Sequence, residues 1–357
     1  MPVISDGRLI LFHRLDDEEA VSCLDAASGE PLWEYRYPTA FRCLYEYSHG
    51  TYATPTIEGN RVWTVGAEGK LHCLALDTGE LIWQRDLRAE YAIKKTLFGV
   101  GPAACLEGDL FIYNVGGSEP DSGIVAFDKE SGEEVWRATN HRFGYCMPKA
   151  ATIHAQRYVF VLTQEGLVAL GPQDGTVFWE FPFAPKAPDS FNATSPLVIG
   201  DRVFLAMGPG PGCKCLRIKP DRTFEELWGD RRGIDSQFNN LSHHEGFVYG
   251  YTSKWNRGAT FCCQELATGK RQWQFPSDLS RGSSIRTPTH FILWGEQGHL
   301  ASMKINPQEP ELECMTPEPL LDAPCYTAPA LADGRLYLRN ERELLCLDLG
   351  HKASGGK

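Results

Sequence analysis

The sequence predicts an all-β fold: an eight-bladed β-propeller of four-stranded antiparallel blades, with the last blade incomplete. Three observations point there. A glycine followed four residues later by a tryptophan recurs as Gly29…Trp33, Gly79…Trp83, Gly132…Trp136, Gly175…Trp179 and Gly269…Trp273, and a degraded copy ends at Trp228. Successive tryptophans lie 50, 53, 43, 49 and 45 residues apart, and a period of about 40 to 50 residues with a fixed aromatic is the mark of propeller blades. The opening Pro2-Val3-Ile4-Ser5-Asp6-Gly7-Arg8-Leu9 returns as Pro329-Ala330-Leu331-Ala332-Asp333-Gly334-Arg335-Leu336, so the array begins and ends at the same kind of unit.

The unit from Tyr52 to Leu87 shows the strands most clearly. Ala53 to Ile57 is a short strand, and Glu58-Gly59-Asn60 a tight turn. Arg61-Val62-Trp63-Thr64-Val65 is rich in β-branched and aromatic residues, as a second strand should be. A turn at Ala67 to Lys70 leads to the alternating Leu71 to Leu76. Asp77-Thr78-Gly79-Glu80 turns into a fourth strand, Leu81 to Arg85. Four strands joined by glycine-centred turns make one antiparallel blade. The tryptophan at the start of the fourth strand is large enough to wedge between blades.

Eight such units begin near Pro2, Thr54, Pro102, Pro148, Pro196, Leu241, Thr287 and Pro329. The fifth keeps Trp228 without the glycine turn. The seventh has no terminal tryptophan, and Glu311 to Cys314 is its expected outer strand. The eighth ends with a third strand at Leu344 to Leu349. A single domain over residues 1–349 and a disordered polar tail over 350–357 are expected. So is truncation at the N-terminus, with the closing strand lost, because no residues upstream of Pro2 can supply it.

The bulk numbers exclude some functions. The chain has 357 residues and a net charge of −11. That argues against nucleic acid, whose phosphates need a basic face. No apolar stretch reaches the ~20 residues of a membrane span, and no signal peptide is present. Twelve cysteines recur partly at one strand position (Cys23, Cys73, Cys263, Cys346) and are expected to be mostly free, small, buried hydrophobes. A monomer is expected.

The pattern apolar-x-(Cys/Ala)-(Leu/Phe)-Asp-x-x-(Ser/Thr)-Gly-x-x-x-Trp, complete in Val21 to Trp33 and Ile124 to Trp136, resembles the repeat of the pyrroloquinoline-quinone-type propellers. That family spans quinoprotein alcohol dehydrogenases, an outer-membrane assembly lipoprotein and many exported bacterial proteins. The resemblance covers essentially the whole chain and is greatest to the exported group. It implies eight blades and a periplasmic or exported setting. It also brings in the quinone cofactor and a calcium ion, held in the dehydrogenases by carboxylate and amide oxygens with an Asp base, an Arg and commonly two adjacent cysteines. The one adjacent pair here, Cys262-Cys263, lies in a predicted central strand, where neighbouring side chains point to opposite faces. No cofactor is expected from the residues themselves.

The connections from each fourth strand to the next blade gather at one end of the channel. They carry Arg42, Tyr45, Tyr47 and His49; then Lys94 and Lys95; then His141, Arg142 and Tyr145. Further on come Asn192, Asn239, Asn240, His243, Arg286 and Tyr326. Aromatics mixed with Arg, His and Asn suit a pocket for a small polar or glycan ligand, or a protein surface. Cys43, Cys146 and Cys325, with His49, His141 and His243, offer soft-metal donors if they converge. The expected function is a non-catalytic binding or scaffolding propeller of the bacterial envelope. A quinone-dependent oxidoreductase and a sugar-acting hydrolase or lyase are the alternatives.

Overall fold

The turns between third and fourth strands of blades 1 and 3 are wound by a carboxylate. Asp25 Oδ1 accepts from the N–H groups of Ala27 (3.0 Å) and Ser28 (2.8 Å) and from the Ser28 hydroxyl (2.9 Å). Asp128 does the same for Glu130 and Ser131. The next residue must then take a positive φ, and Gly29, Gly79, Gly132, Gly175 and Gly269 do so at +70 to +77°. Only glycine adopts that conformation freely. The aspartate and the glycine of the repeat are therefore two halves of one turn.

The computed structural model describes residues 1–43, 48–186, 190–252, 258–276 and 279–350. The strands form seven four-stranded antiparallel sheets and one of three strands, each in simple sequential order. Blade 1 is Val3–Ser5, Arg8–Leu15, Glu18–Asp25 and Pro31–Pro38, and blade 8 is Ala330–Ala332, Arg335–Arg339 and Leu344–Asp348. First strands of neighbouring blades touch one another and are innermost. The seventh blade begins earlier than the sequence suggests, with Gly282–Arg286 as its first strand. Thr287 is the turn that follows. Glu311–Met315 is its outer strand, as expected.

One register recurs. The fourth-strand tryptophans 33, 83, 136, 179, 228 and 273 lie opposite Cys23, Cys73, Ala126, Ala169, Cys215 and Cys263, and the register shifts by one residue just after each pair. Such a bulge bends the strand and re-aims its side chains. Each indole then lies on the turn of the following blade. A Cβ on Gly79, Gly132, Gly175 or Gly269 would meet the ring of Trp33, Trp83, Trp136 or Trp228 at 2.5–2.6 Å. Indole N–H groups donate to backbone carbonyls of that same turn region, Trp33 to Leu76 (2.9 Å) and Trp136 to Pro172 (2.8 Å). Trp273 donates to Asn306 (2.9 Å). Trp179 departs from the pattern: the turn it meets has no glycine, and it packs on Phe224 with ring centroids 4.5 Å apart. The wedges are thus where the repeat places them.

Eight apolar clusters fill the eight junctions between blades. One, for example, joins Phe12, Val21 and Cys23 to Val62 and Leu74. The last joins blade 8 to blade 1 through Tyr337, Leu9 and Ala26, and the Tyr337 hydroxyl donates to the Ala26 carbonyl (2.7 Å). Among the described residues, blades 8 and 1 meet through this packing. All twelve cysteines are free, and ten are buried. Cys263 and Cys262 belong to clusters on opposite sides of blade 6, as strand alternation requires.

The junction of blades 1 and 2 also holds a buried polar group. Glu19 is fully enclosed; it accepts from the Tyr37 hydroxyl (2.6 Å) and the Ala67 N–H (2.8 Å). Burial pushes its carboxyl above the usual range. The His72 ring packs on Tyr37 with centroids 4.2 Å apart. Burial pushes its imidazole down to about 4.

Two outcomes follow. Gly132→Ala and Gly29→Ala both place a Cβ at positive φ, but only the former meets an indole. Gly132→Ala should cost about 1–3 kcal/mol more than Gly29→Ala in urea unfolding, the usual penalty of overpacking. Unfolded histidine titrates near 6.5 and His72 near 4. As pH falls from about 6.5 to about 4, the unfolded chain takes up the proton first, so stability is lost across that window by up to about 3 kcal/mol. Urea midpoints at about pH 7 and pH 5 should converge in His72→Phe relative to the parent protein; an equal drop in both would show that His72 is not the group responsible.

Candidate functional site

Strands alternate in direction from the axis outward. All connections between blades, and all second-to-third strand loops, therefore emerge on one face of the disc. The first-to-second and third-to-fourth turns emerge on the other. The first face is the loop face.

On the loop face, five rings from four successive inter-blade loops make a continuous edge-to-face chain. Phe41 meets Tyr52 (centroids 6.0 Å), Tyr52 meets Phe98 (6.4 Å), and Phe98 meets both Tyr145 (6.5 Å) and Phe191 (6.0 Å); Tyr145 and Phe191 are 5.3 Å apart. All five are half-buried. Polar side chains beneath fix the loops. Arg14, at the end of a second strand, donates to the carbonyls of Phe41 (2.8 Å) and His49 (3.0 Å). Asn192 donates to the carbonyls of Thr163 and Phe183 (2.8 Å each), and its own carbonyl accepts from the Tyr145 N–H (2.6 Å). The Tyr145 hydroxyl donates to the Gly99 carbonyl (2.7 Å).

A second cluster lies elsewhere on the same face. Arg281 and Glu296 are each 8% exposed, and two guanidinium N–H groups of Arg281 donate to the same Glu296 oxygen, Oε2, at 2.8 and 2.9 Å. The Arg281 guanidinium lies 5.1 Å from the Phe238 ring centroid and 5.8 Å from that of Tyr326, and donates to Gln237 (2.9 Å). A buried, paired and stacked arginine is a fixed element. A cleft of about 300 Å³ opens beside it.

The sequence-predicted residues divide into groups. Tyr145 belongs to the aromatic chain and Tyr326 to the arginine cluster. Lys94 and Lys95 are exposed in the loop that carries Phe98. Arg142 is exposed and pairs with Glu165 (2.7 Å), and Arg42 pairs with Asp17. His141 is held between Thr163 (3.0 Å) and Glu180 (3.4 Å). Asn192, fully enclosed, and Asn239 are buried, so Asn192 braces loops and offers nothing to a ligand. The Asn240 carbonyl oxygen accepts from the Ser195 N–H (3.2 Å). His49 accepts from the Cys43 N–H (3.2 Å). Tyr45 and Tyr47 lie outside the described residues. Two placements are corrected. His243 is on the innermost strand Ser242–His244 and Arg286 ends Gly282–Arg286, so both stand at the opposite face. Burial first, then the neighbouring His244 and the Arg286 guanidinium, holds the His243 imidazole below its usual value.

The sequence reading passed over Arg14, Glu296, Arg339 and Glu341. All four sit at or just beyond the ends of second strands. Strand alternation alone would have put those loops on the same face. The Arg339 guanidinium donates to the Phe12 carbonyl (3.3 Å).

Among the described residues no three His, Cys, Asp or Glu side chains converge as metal ligands. Cys146 and Cys325 are buried, with their sulfurs against the carbonyls of Thr194 (3.3 Å) and Asp322 (3.4 Å). Cys262 and Cys263 face different blade junctions. No helix of the described residues is long and apolar enough to cross a membrane.

Comparison with known proteins fits this architecture. BamB from Moraxella catarrhalis superposes with a TM-score of 0.69 at 16% identity, covering 97% of this chain and 95% of that one. Quinohemoprotein alcohol dehydrogenase from Comamonas testosteroni gives 0.66 at 14% identity, covering 94% and 69%. At such identities the likeness is one of fold. Among curated sequences, quinoprotein alcohol dehydrogenase PedH of Pseudomonas putida is 25% identical over 188 residues, 50% of this chain and 30% of that protein. Outer membrane protein assembly factor BamB of Burkholderia pseudomallei is 26% identical over 163 residues, 37% and 43% of the two chains. The chain thus spans less than half the length of these curated relatives. The family model described as outer membrane protein assembly factor BamB matches residues 3–275, and the chain belongs to that family of PQQ-like propellers.

Proposed function

We propose that this protein is a non-catalytic scaffolding propeller of the bacterial envelope that binds a protein through its loop face. The observation that carries this is the five-ring chain from Phe41 to Phe191. Half-buried aromatics fixed by buried polar braces lose little entropy on binding and bury large area, which is why such residues dominate protein interfaces. Exposed Lys94 and Lys95 lie in the same loops and give the rim a positive edge on a chain that is negative overall. An acidic border around an apolar partner segment would complement it.

An assembly role at the outer membrane comes from the family, and an exported setting goes with it. The dehydrogenase relatives suggest quinone chemistry as the alternative; against it stands the adjacent pair Cys262 and Cys263, whose side chains face different blade junctions and so do not form a ring over a cofactor. Sugar hydrolysis would need two free carboxyl groups facing one cleft. The larger cleft, about 600 Å³ at the opposite face, instead has Glu58 paired with Lys129 (2.5 Å) and Glu130 paired with Arg61.

The test is genetic and biochemical together. Deleting the gene in its host should lower the yield of folded outer-membrane proteins, and the parent gene should restore it. Phe98→Ala with Tyr145→Ala should leave the protein folded but weaken partner binding by at least about tenfold, as loss of a central anchor does. Full complementation by that double variant would end this reading, as would quinone- and calcium-dependent dye reduction by the purified protein.

A further inference from the structure

The face opposite the loops holds the larger cleft, about 600 Å³, where blades 2 and 3 meet. Its polar lining comes from both blades. Glu58 ends the first strand of blade 2 and Arg61 begins the second. Lys129 and Glu130 follow the third strand of blade 3, Ile124–Asp128. Two ion pairs cross the junction, Lys129 to Glu58 (2.5 Å) and Arg61 to Glu130. Asp109, exposed beside them, makes no hydrogen bond or close ion pair among the described residues. Ile82, 42% exposed, adds an apolar wall.

Trp63 also lines the cleft. It is 1% exposed, and its indole N–H has no hydrogen-bond partner. Trp63 lies opposite Cys73 as Tyr337 lies opposite Cys346, so the two share a register position. Tyr337 gives its hydroxyl proton to the Ala26 carbonyl (2.7 Å). The matching carbonyl for Trp63 is that of Lys129, which already accepts from the Trp83 indole (3.3 Å). Blades 1, 3 and 5 carry Ile10, Ile112 and Phe204 at this position, none with a donor. A buried donor without an acceptor costs free energy and calls for an explanation. Here it borders a cavity large enough for a small ligand.

We infer that this cleft binds a neutral saccharide of one or two rings. Donors and acceptors are interleaved along its walls: Trp63, Arg61 and Lys129 donate, while Glu58, Glu130 and Asp109 accept. A lone anion would meet three carboxylates, and a lone cation would meet two cations that are already paired. A hydroxyl both donates and accepts. A polyhydroxylated ring therefore serves both sets and leaves the ion pairs intact. One hydroxyl oxygen takes the Trp63 N–H, another hydroxyl donates to Asp109, and Ile82 meets the C–H face of the ring. This inference concerns the face away from the aromatic chain and does not rest on the loop-face reading.

The test titrates the full chain, labelled with nitrogen-15, with glucose, N-acetylglucosamine, maltose and cellobiose. The Trp63 indole resonance is assigned by its loss in Trp63→Phe. At least one sugar should shift it saturably, with a Kd of about 1–10 mM, while the indole of Trp294 in blade 7 stays still. Asp109→Asn should raise that Kd at least about fivefold, and Trp63→Phe, followed at the Ile82 amide, about tenfold, as loss of a hydrogen-bonding partner does. Asp109 is exposed on a turn, so its variant decides the matter if Trp63→Phe does not fold. Sodium acetate and ethylammonium chloride are the charged controls and should give no saturable shift. Absence of a saturable shift with every sugar up to about 0.1 M, far weaker than any specific site, overturns the inference. So does an equal shift by either control, or a Kd that neither variant changes.

Discussion

The ring rests on an indole laid over a glycine. Each such contact needs three things at once. A backbone hydrogen bond from the glycine N–H to the carbonyl four residues earlier closes the turn, a residue without a side chain accepts positive φ, and a bulge turns the preceding blade's tryptophan onto it. None of these stabilises a blade by itself, since an isolated four-stranded sheet has two apolar faces to cover. Together they set the distance and angle between neighbours, and the apolar clusters then fill the space so defined. The wedge indoles are half-buried or nearly buried, and loss of a packed tryptophan costs up to several kcal/mol, so a handful of such contacts matters on the scale of total stability.

That dependence explains what could be read from the residues alone. Turn and wedge are local in sequence, so the repeat, the blade count and the incomplete eighth blade were all legible. The fifth blade's lost glycine was legible too, though not that Phe224 would replace it as the partner of Trp179. The start of blade 7 was missed because Gly282 to Arg286 has neither the proline nor the apolar alternation of the other first strands. One shift of five residues moved Arg286 from one face of the disc to the other. His243 was misplaced for a related reason: a polar Ser-His-His strand lining a channel reads like a loop.

The loop face was legible as a region and not as a site. Sequence puts aromatic and polar residues in the same connections but cannot say which pack beneath and which remain accessible. Asn192 and Tyr145 looked alike as candidates, yet one is a brace and the other part of the surface it braces. The residues that fix the loops, Arg14 and Glu296 among them, come from second-strand ends. Their positions follow from alternation along the blade, a rule that needs no coordinates but does need every loop to be assigned to a face.

Blade 8 has no fourth-strand indole on either side. Blade 7 sends it none, and it sends none to blade 1. Its neighbours grip it through aliphatic contacts, Trp294 from a second strand and the Tyr337 hydroxyl. Among the described residues the two junctions of blade 8 are thus sealed by different chemistry from the other six: aliphatic side chains, a second-strand indole and one phenol take the place of the fourth-strand wedge.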